Sequence, residues 1–502
     1  MAAQTGTKDV AVTLTSGEDE AMLQTGMKAK SIRAKAVLSS RIFQIALAVT
    51  CVAAVVLAVV FTTVVNDDGD KAKTNVSEPA PVLSIRSVPL TCAVNVTDAQ
   101  FFNVEKIADT DSTLVLNIYN KKAYVLTPEG GSESLARSQN ITSIPEDYTT
   151  MYLTTPLKNV TAAETQLIRY LELIGVRSDI ISSSPYTTSP CLEKMENEGL
   201  VTPFTGNLYD FEAAPSNSTS PTFVGYSSAL VAPTTIQAAV SVEQRDGNML
   251  QSAEWIKFFA PFFGKECEAN DIFDGIKERY DCHEAKVEEF KKLFDPVNVA
   301  VVSKNFGYQC GGCEYETDPY FGFSDAGYWK DYIIDAGGIP LVETSVFNNL
   351  TADVSKGYAF TNLTEFHDLL KEADIVIDYT YLEGDVTTQS ILDAYNISAA
   401  DEVDFKFIRD KALWRTDRRV SEDGGDDWFE GRYPEADVLL EDLVFAIHPT
   451  YSGLILNPKH SLTWLRNLYT APSQEVLKAD MCTDVNQAEQ LIADTCTSFK
   501  IN

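Results

Sequence analysis

Residues 42–65, IFQIALAVTCVAAVVLAVVFTTVV, run for 24 positions without a charge. Coiled as an α-helix they extend about 36 Å, enough to cross a hydrocarbon core of about 30 Å with some tilt. A cleaved signal peptide has an apolar region of only about 7–15 residues close to the N-terminus. This run is longer and starts after residue 41, so it reads as a retained anchor, with a cleaved leader as the alternative. Lys28, Lys30, Arg33, Lys35 and Arg41 precede it, while Asp67, Asp68 and Asp70 follow, partly offset by Lys71 and Lys73. The positive-inside rule then puts the N-terminus in the cytosol and the C-terminal part in a lumen or outside the cell, a single-pass type II arrangement at the plasma membrane or an endomembrane. The expected order is a cytoplasmic tail (1–41), the anchor (42–65) and a stalk (66–82) containing Pro79 and Pro81.

Acceptor patterns for N-glycosylation begin at Asn75, Asn95, Asn140, Asn159, Asn217, Asn349, Asn362 and Asn396, all after the apolar run. Cys51 lies inside the run, and Cys92, Cys191, Cys267, Cys282, Cys310, Cys313, Cys482 and Cys496 lie beyond it. An even set in an oxidising compartment predicts up to four disulfides, with the connectivity left open. Cys482 with Cys496 is the expected local tie of the tail. Cys267 and Cys282 share a helix-like stretch; on an unbroken helix they stand about 22 Å apart and cannot pair with each other. Cys310-Gly-Gly-Cys313 follows a predicted strand within an aromatic loop, which suits a structural disulfide. Redox chemistry and a metal site are the alternatives, but neither the expected first helix nor two further ligands are evident.

The net charge of −32 argues against a general nucleic-acid binder, which needs a basic face. Four histidines in the whole chain disfavour direct zinc or manganese capture.

Beyond the stalk, residues 83–150 read as a β-rich extension, with a hairpin from Thr113–Tyr119 and Lys122–Leu126 around Asn120 and a loop over 128–150. From Met151 strands and helices alternate. MYLTT (151–155) is read as the first strand of an N-lobe (151–265), followed by a helix over 162–175 ended by Gly175 and a strand over 178–184. A loop covers 214–222, and regular elements cover 235–243 and 250–263, with Trp255, Phe258, Phe259, Phe262 and Phe263 in the core. Residues 266–294 carry one long helical stripe through Ile272, Ile276, Tyr280, Val287, Phe290 and Leu293. A C-lobe (295–475) opens with VNVAVVS (297–303), a continuous apolar run as expected of a strand buried on both faces. It continues with a helix (326–338), the strand IPLVE, a helix (362–373), the strands DIVIDY (374–379) and DFKFIRD (404–410), and a helix (435–449) closing at Pro449. Residues 476–502 form a disulfide-tied tail. The fold class predicted is α/β: two doubly wound, Rossmann-like lobes joined by one long helix, behind a single transmembrane helix.

Three segments carry a family resemblance: NVTAAETQLIRYLELIGVRSDIIS, QSAEWIKFFAPFFGKECEANDIFDGIKERY and WFEGRYPEADVLLEDLVFAIHP. The last, with W, R-x-P-E-A-D and L-x-D-L ahead of H-P, is the most specific. Residues 151–470 resemble the helical-linker (class III) periplasmic substrate-binding proteins for iron-siderophores, haem and cobalamin, and are most similar to membrane-anchored, ferrichrome-binding versions from algae. The resemblance implies two Rossmann-like lobes on one long helix and capture of a metal chelate between them. The type II anchor, the sequons, the extra cysteines and the 83–150 extension depart from the usual pattern, which puts delivery to an importer in doubt.

In open α/β sheets ligands sit beyond the C-terminal strand ends. The N-lobe loops expected there are Thr154–Pro156, Ser183–Tyr186 and Gly225-Tyr226-Ser227; those of the C-lobe are Lys304–Tyr308, Tyr379–Tyr381 and Trp414–Arg419. Candidate ligand contacts are Pro156, Tyr186, Tyr226, Tyr308, Trp329, Tyr379, Tyr381, Trp414, Arg415 and Arg418. Guanidinium forks suit carboxylate, hydroxamate or catecholate oxygens, and Trp414 offers a flat wall. The competing reading of W-R-T-D-R-R is a solvated basic turn paired with Asp417, Glu422 and Asp423. The aromatic loop 315–329 lines the cleft or packs at a helix start, the latter favoured for Phe323 and Trp329. His448 is read as a helix-end residue. No catalytic residue, metal ligand or cofactor is assigned, and ferric iron enters only inside a chelate.

The expected role is a receptor for a ferric siderophore, with a permease, a ferric reductase or an endocytic adaptor as partner. An adhesive or partner-binding glycoprotein on the same fold is the alternative. A type II Golgi glycosyltransferase is a weaker one, because Asp68-Gly69-Asp70 lies in the stalk and Asp109-Thr110-Asp111 in the extension. No G-x-S-x-G, H-E-x-x-H, P-loop or G-x-G-x-x-G occurs.

Overall fold

The computed structural model describes residues 92–138, 141–204, 220–225, 235–238, 247–293, 295–307, 318–348, 350, 358–456, 460–487 and 496. The apolar run 42–65, Tyr226, Tyr308, Cys310, Cys313 and the sequons at Asn75, Asn140, Asn217 and Asn349 lie outside the described residues. Among the described residues no helix is long and apolar enough to cross a membrane. Asn95, Asn159, Asn362 and Asn396 are exposed.

The chain enters through an arm that is held at several points. The Glu254 carboxylate accepts the backbone N–H of Thr97, Asp98 and Ala99 at 2.7–2.8 Å, and Cys92 is bonded to Cys267. Four strands follow: β1 (Phe102–Lys106), β2 (Thr113–Asn117), β3 (Lys122–Pro128) and β4 (Thr149–Thr155), in the order β1-β2-β3-β4. The β2–β3 hairpin turns where expected, with the Asn117 side chain accepting the Asn120 N–H at 2.9 Å. A short helix, Glu133–Ser138, interrupts the predicted 128–150 loop. MYLTT is a correction: it lies in β4, parallel to β3 with Leu126 opposite Leu153, and so belongs to the extension sheet.

The first strand of the next sheet is β5 (Val160–Ala162), then β6 (Ile180–Ser183), β7 (Thr202–Pro203), β8 (Thr222–Val224) and β9 (Thr235–Gln237). All pairings are parallel, in the order β7-β6-β5-β8-β9. Numbered along this sheet, that is 3-2-1-4-5, a doubly wound order that reverses direction between β5 and β8. Helices α1 (Ile168–Leu173) and α2 (Pro190–Asn197) flank it. Trp255, Phe258, Phe259 and Phe262 are fully buried and join the two sheets: Phe102 meets Trp255 at 4.8 Å, and Phe223 meets Phe259 at 5.7 Å.

Helix α3 (Glu266–Phe290) runs for 25 residues, about 37 Å. Ala269, Phe273, Ile276, Tyr280, His283 and Val287 are buried at alternating spacings of four and three, which keeps them on one face. It leads into β10 (Asn298–Asn305), β11 (Tyr320–Phe323), β12 (Ile339–Pro340), β13 (Tyr358–Phe360), β14 (Ile375–Asp378), β15 (Leu413–Arg415), β16 (Arg419–Ser421), β17 (Arg466–Asn467) and β18 (Glu475–Leu477). One sheet has the order β13-β11-β10-β14-β15-β17, with β12 also on β10; β16 and β18 pair separately. Strands β12, β10, β14 and β15 are mutually parallel, and their order again reverses between β10 and β14. Helices α4 (Gly327–Asp335), α5 (Leu363–Leu370) and α6 (Ala436–Ile447) cover it.

Two predicted strands are corrected here. IPLVE gives only the two-residue β12 before a 3₁₀ turn over Leu341–Glu343. DFKFIRD is a 3₁₀ turn and a short helix, Lys406–Arg409; the strand is the following LWR, whose three residues are all buried. The expected Cys482–Cys496 tie is also overturned. Cys482 is bonded instead to Cys191 on α2, and Cys496 to Cys282 on α3. Cys267 and Cys282 share α3 and bond elsewhere, as their separation requires.

Candidate functional site

Each sheet has one strand-order reversal, and ligands of doubly wound sheets bind outside the strand ends at that point. In the first sheet it opens between Glu164–Gln166 after β5 and Gly225 after β8. The Gln166 side chain lies against the Gly225 backbone there: a Cβ on Gly225 would stand 2.2 Å from Gln166 Nε2. In the second sheet it opens between the end of β10 and Tyr379–Tyr381 after β14, where the Lys304 N–H donates to Thr380 Oγ1 at 3.0 Å.

The segment Asp426–Arg432 joins the two points. The Thr165 hydroxyl donates to the Phe429 carbonyl at 2.9 Å, and the Phe429 ring meets the Tyr379 ring at 6.0 Å. Trp428 Nε1 donates to the Tyr379 hydroxyl at 3.1 Å, and its ring stacks on Trp329 at 5.1 Å. Arg432 lies over the Trp428 face at 4.4 Å. Just upstream, Gly425 passes so close to Tyr186 that a Cβ would meet the Tyr186 carbonyl oxygen at 2.4 Å. Much of the expected gap between the halves is therefore filled by the chain itself.

Buried charge lines the same junction. Arg169 makes a two-pronged pair with Glu435 at 2.9 and 3.0 Å, and Arg177 bonds Glu172 at 2.7 Å. Arg419 pairs with Asp427 at 3.0 Å. Glu430 accepts the Thr188 N–H at 2.7 Å, and Asp427 accepts the Thr188 hydroxyl at 2.8 Å. Burial, with Glu172 and Asp427 nearby, pushes the Glu430 carboxyl well above the usual range. Beside these groups is a cavity of about 270 Å³, whose lining includes Arg169, Glu172, Asp427, Glu430, Cys191 and Cys482. Among the described residues no cluster of His, Cys, Asp or Glu is arranged to hold a metal ion.

The predicted contacts separate into groups. Tyr186, Tyr379 and Tyr381 follow β6 and β14 at these strand ends, each half-buried. Burial raises the hydroxyl pKa of Tyr186 and Tyr381. Pro156 is not with them, because it follows β4 in the extension sheet. Trp329 and Trp414 are buried, Trp414 standing in the middle of β15 and Trp329 stacked behind Trp428. Arg415 is 8% exposed and is committed to the protein: it bonds Asp378, Asp417 Oδ2 at 2.9 Å and the Thr380 carbonyl at 3.0 Å. Burial alone would lower its pKa, but Asp378 and Asp417 raise it. Arg466 completes the network on Asp417 at 2.6 and 3.0 Å. Arg418 Nε donates to the Leu462 carbonyl at 2.6 Å. Within W-R-T-D-R-R, Arg415 and Asp417 therefore belong to a buried ion network, while Arg418 and Arg419 are half-buried. Thr165, Asp427, Trp428, Phe429 and Glu430 are not among the expected ligand contacts, although Thr165 and Trp428–Glu430 fall in the resemblance segments and the Gly-Gly-Asp-Asp-Trp-Phe-Glu run carries a turn signal followed by aromatic and acidic residues.

No protein-family model matches the chain, and no curated protein matches its sequence. Solved structures are similar at low identity. A TroA-like periplasmic binding protein, FepB from Veillonella parvula, is 13% identical over 62% of this chain and 95% of its own, with a TM-score of 0.41. A periplasmic haem-binding protein from Pseudomonas aeruginosa is 14% identical over 58% and 93%, with a TM-score of 0.40. CeuE from Helicobacter pylori, with Ni(II) bound, is 12% identical over 59% and 84%, with a TM-score of 0.39.

Proposed function

We propose that the chain is a non-catalytic, extracytoplasmic binding protein that holds a small solute where its two strand-order reversals meet. The single observation that supports this most is the Thr165–Phe429–Tyr379 chain of contacts, which joins both reversals with aromatic surface beside them. The solute we favour is a ferric siderophore of the ferrichrome type, bound as a complete chelate, so that the protein supplies ring surface and hydrogen bonds rather than metal ligands. With a type II anchor over 42–65 and glycans on the exposed sequons, the protein would be a surface or endomembrane receptor that passes its cargo to a permease, a ferric reductase or an endocytic adaptor. The filled junction supports a second reading, in which the same fold binds a protein partner on its outer surface.

Titration of the intact chain separates the two. Intrinsic tryptophan fluorescence is followed against ferric hydroxamate and catecholate siderophores, haem and cobalamin, with metal-free siderophores and UDP-sugars as controls. Saturable quenching by one metal complex, corrected for absorbance, supports the receptor. No binding by folded protein across the panel moves the conclusion to partner binding. UDP-sugar binding alone revives a transferase.

A further inference from the structure

The C-terminal stretch crosses from one half of the molecule to the other. Strand β18 pairs with β16, placing Glu475–Leu477 in the C-terminal half. Immediately afterwards Cys482 is bonded to Cys191 on α2, and Lys194 Nζ donates to the Cys482 carbonyl at 3.3 Å. The Arg177 guanidinium then donates to the carbonyls of Val485 at 3.3 Å and Gln487 at 3.1 Å. Farther on, Cys496 is bonded to Cys282 in α3. The strap therefore touches both halves and the helix between them. It also lines the 270 Å³ cavity, through Leu477, Met481, Cys482 and Asp484.

A strap held only by hydrogen bonds at the surface opens locally at small free-energy cost. A covalent bridge removes that freedom, because residues 482 and 191 cannot separate while the sulfur–sulfur bond lasts. The two fastenings differ in exposure. Cys282 and Cys496 are half-exposed, whereas Cys191 and Cys482 are 5% and 6% exposed. Thiol–disulfide exchange requires a thiolate to reach a sulfur, so the outer bridge reacts first.

We propose that residues 475–487, with their outer fastening at Cys496, form a thiol-operated strap that locks the two halves over the cavity and is released from its end inward. The reductant is a dithiol. One of its thiolates attacks a bridge sulfur and the sulfur–sulfur bond breaks, giving a mixed disulfide and one free cysteine. The second thiol of the reductant resolves the mixed disulfide, leaving two cysteine thiols and an oxidised dithiol, with two electrons and two protons transferred per bridge. The strap controls access to the junction named above and rests on that reading only for its purpose. Its opening is measured without a ligand, so either idea can fail while the other stands.

The test uses the intact chain, timed reduction by dithiothreitol, alkylation mapping and amide hydrogen exchange. Cys282–Cys496 is expected to open before Cys191–Cys482. When Cys191–Cys482 opens, exchange at 187–191, 427–431 and 475–487 is expected to rise about tenfold or more while 298–305 stays protected. The Cys191→Ser/Cys482→Ser variant is expected to show the same pattern without reductant, and Cys282→Ser/Cys496→Ser only its first stage. Because the doubly substituted chain can fail to fold, timed reduction of the folded wild type decides. The proposal is overturned if the inner bridge opens first, if its opening leaves exchange at 427–431 unchanged, or if exchange at the strap rises only together with that at 298–305.

Discussion

His283 Nε2 on α3 lies 2.8 Å from Glu441 Oε1 on α6, with both side chains 1% exposed. One helical turn earlier on each helix, Arg279 Nε pairs with Asp437 at 2.6 Å. The long helix is thus keyed to the C-terminal half by two polar pairs in register, the first buried on both sides and the second half-buried at Arg279. His460 stands on the other side, 3.5 Å from Glu441 and 3.4 Å from Asp442. Breaking a buried pair leaves the surviving partner uncompensated, at about 3–5 kcal/mol. Glu441→Gln is therefore expected to lower unfolding free energy at pH 7 by about 3 kcal/mol in urea titration. A loss below about 1 kcal/mol would mean that the pairs do not hold the helix.

Burial would lower the His460 pKa, but Asp442 and Glu441 raise it to about 10. Its folded-state pKa exceeds the ordinary 6.5, so the associated stability is complete below pH 6.5 and fades as pH rises through about 10. His460→Gln is expected to flatten the fall in stability across that window. An unchanged slope would assign the fall to other groups.

Asp335 titrates in the same sense but in a more acidic window. Burial pushes its carboxyl from 3.8 up to about 6, against the hydrogen bond from Tyr280 and with Glu284, Asp331 and Glu288 adding to the rise. The folded state holds this proton more tightly, so stability is greatest below pH 3.8 and declines as pH rises to about 6. Asp335→Asn keeps an acceptor for Tyr280 and removes the charge. It is expected to stabilise the protein at pH 7.5 by about 1 kcal/mol, after allowing for partial exposure, with little effect near pH 4. Equal effects at both pH values contradict this.

Arg415 is expected to hold the fold rather than the solute. Arg415→Met leaves Asp378 buried without its cation and is expected to cost about 3–5 kcal/mol by denaturant unfolding. A variant of unchanged stability that loses chelate binding would instead restore the ligand-contact role.

Gly425 sets how closely the halves approach. Gly425→Ala places a methyl group against the Tyr186 carbonyl oxygen, a backbone atom that cannot swing aside. Overpacking of this kind costs about 1–3 kcal/mol. Hydrogen exchange at the Thr188 amide, which Glu430 accepts, is expected to quicken in the same variant. Wild-type exchange there would show that the contact does not control the junction.

The parts of the fold carried by long periodic patterns were legible in the sequence. On α3, Ile276, Tyr280 and Val287 of the expected stripe are buried and Ile272 and Phe290 half-buried, whereas Leu293 is 73% exposed because the helix ends at Phe290; in β10 the four residues Val299–Val302 are buried. MYLTT was misplaced because its alternation identifies a strand but not the sheet it joins; its partner β3 lies across a 20-residue connection from Glu129 to Tyr148. DFKFIRD misled because Phe405, just before a short helix, and Phe407 and Ile408 within it are all buried, and short apolar runs fit either period. The site was less legible. An arginine-rich turn in an acidic chain suggests an anion grip, but Arg415 is taken up by Asp417 two residues on and by Asp378 at the end of β14, 37 residues earlier. The Trp428–Phe429 wedge reads as a loop until Thr165 and Tyr379 are seen on either side.

Equilibrium dialysis of the intact chain against a ferric hydroxamate, with and without Phe429→Ala, tests the central claim most directly. The account predicts one saturable site of micromolar or better affinity in the wild type, weakened about tenfold or more by Phe429→Ala while amide protection of 298–305 is retained. Absence of saturable binding to the folded chain, or equal affinity in the two proteins, would contradict it.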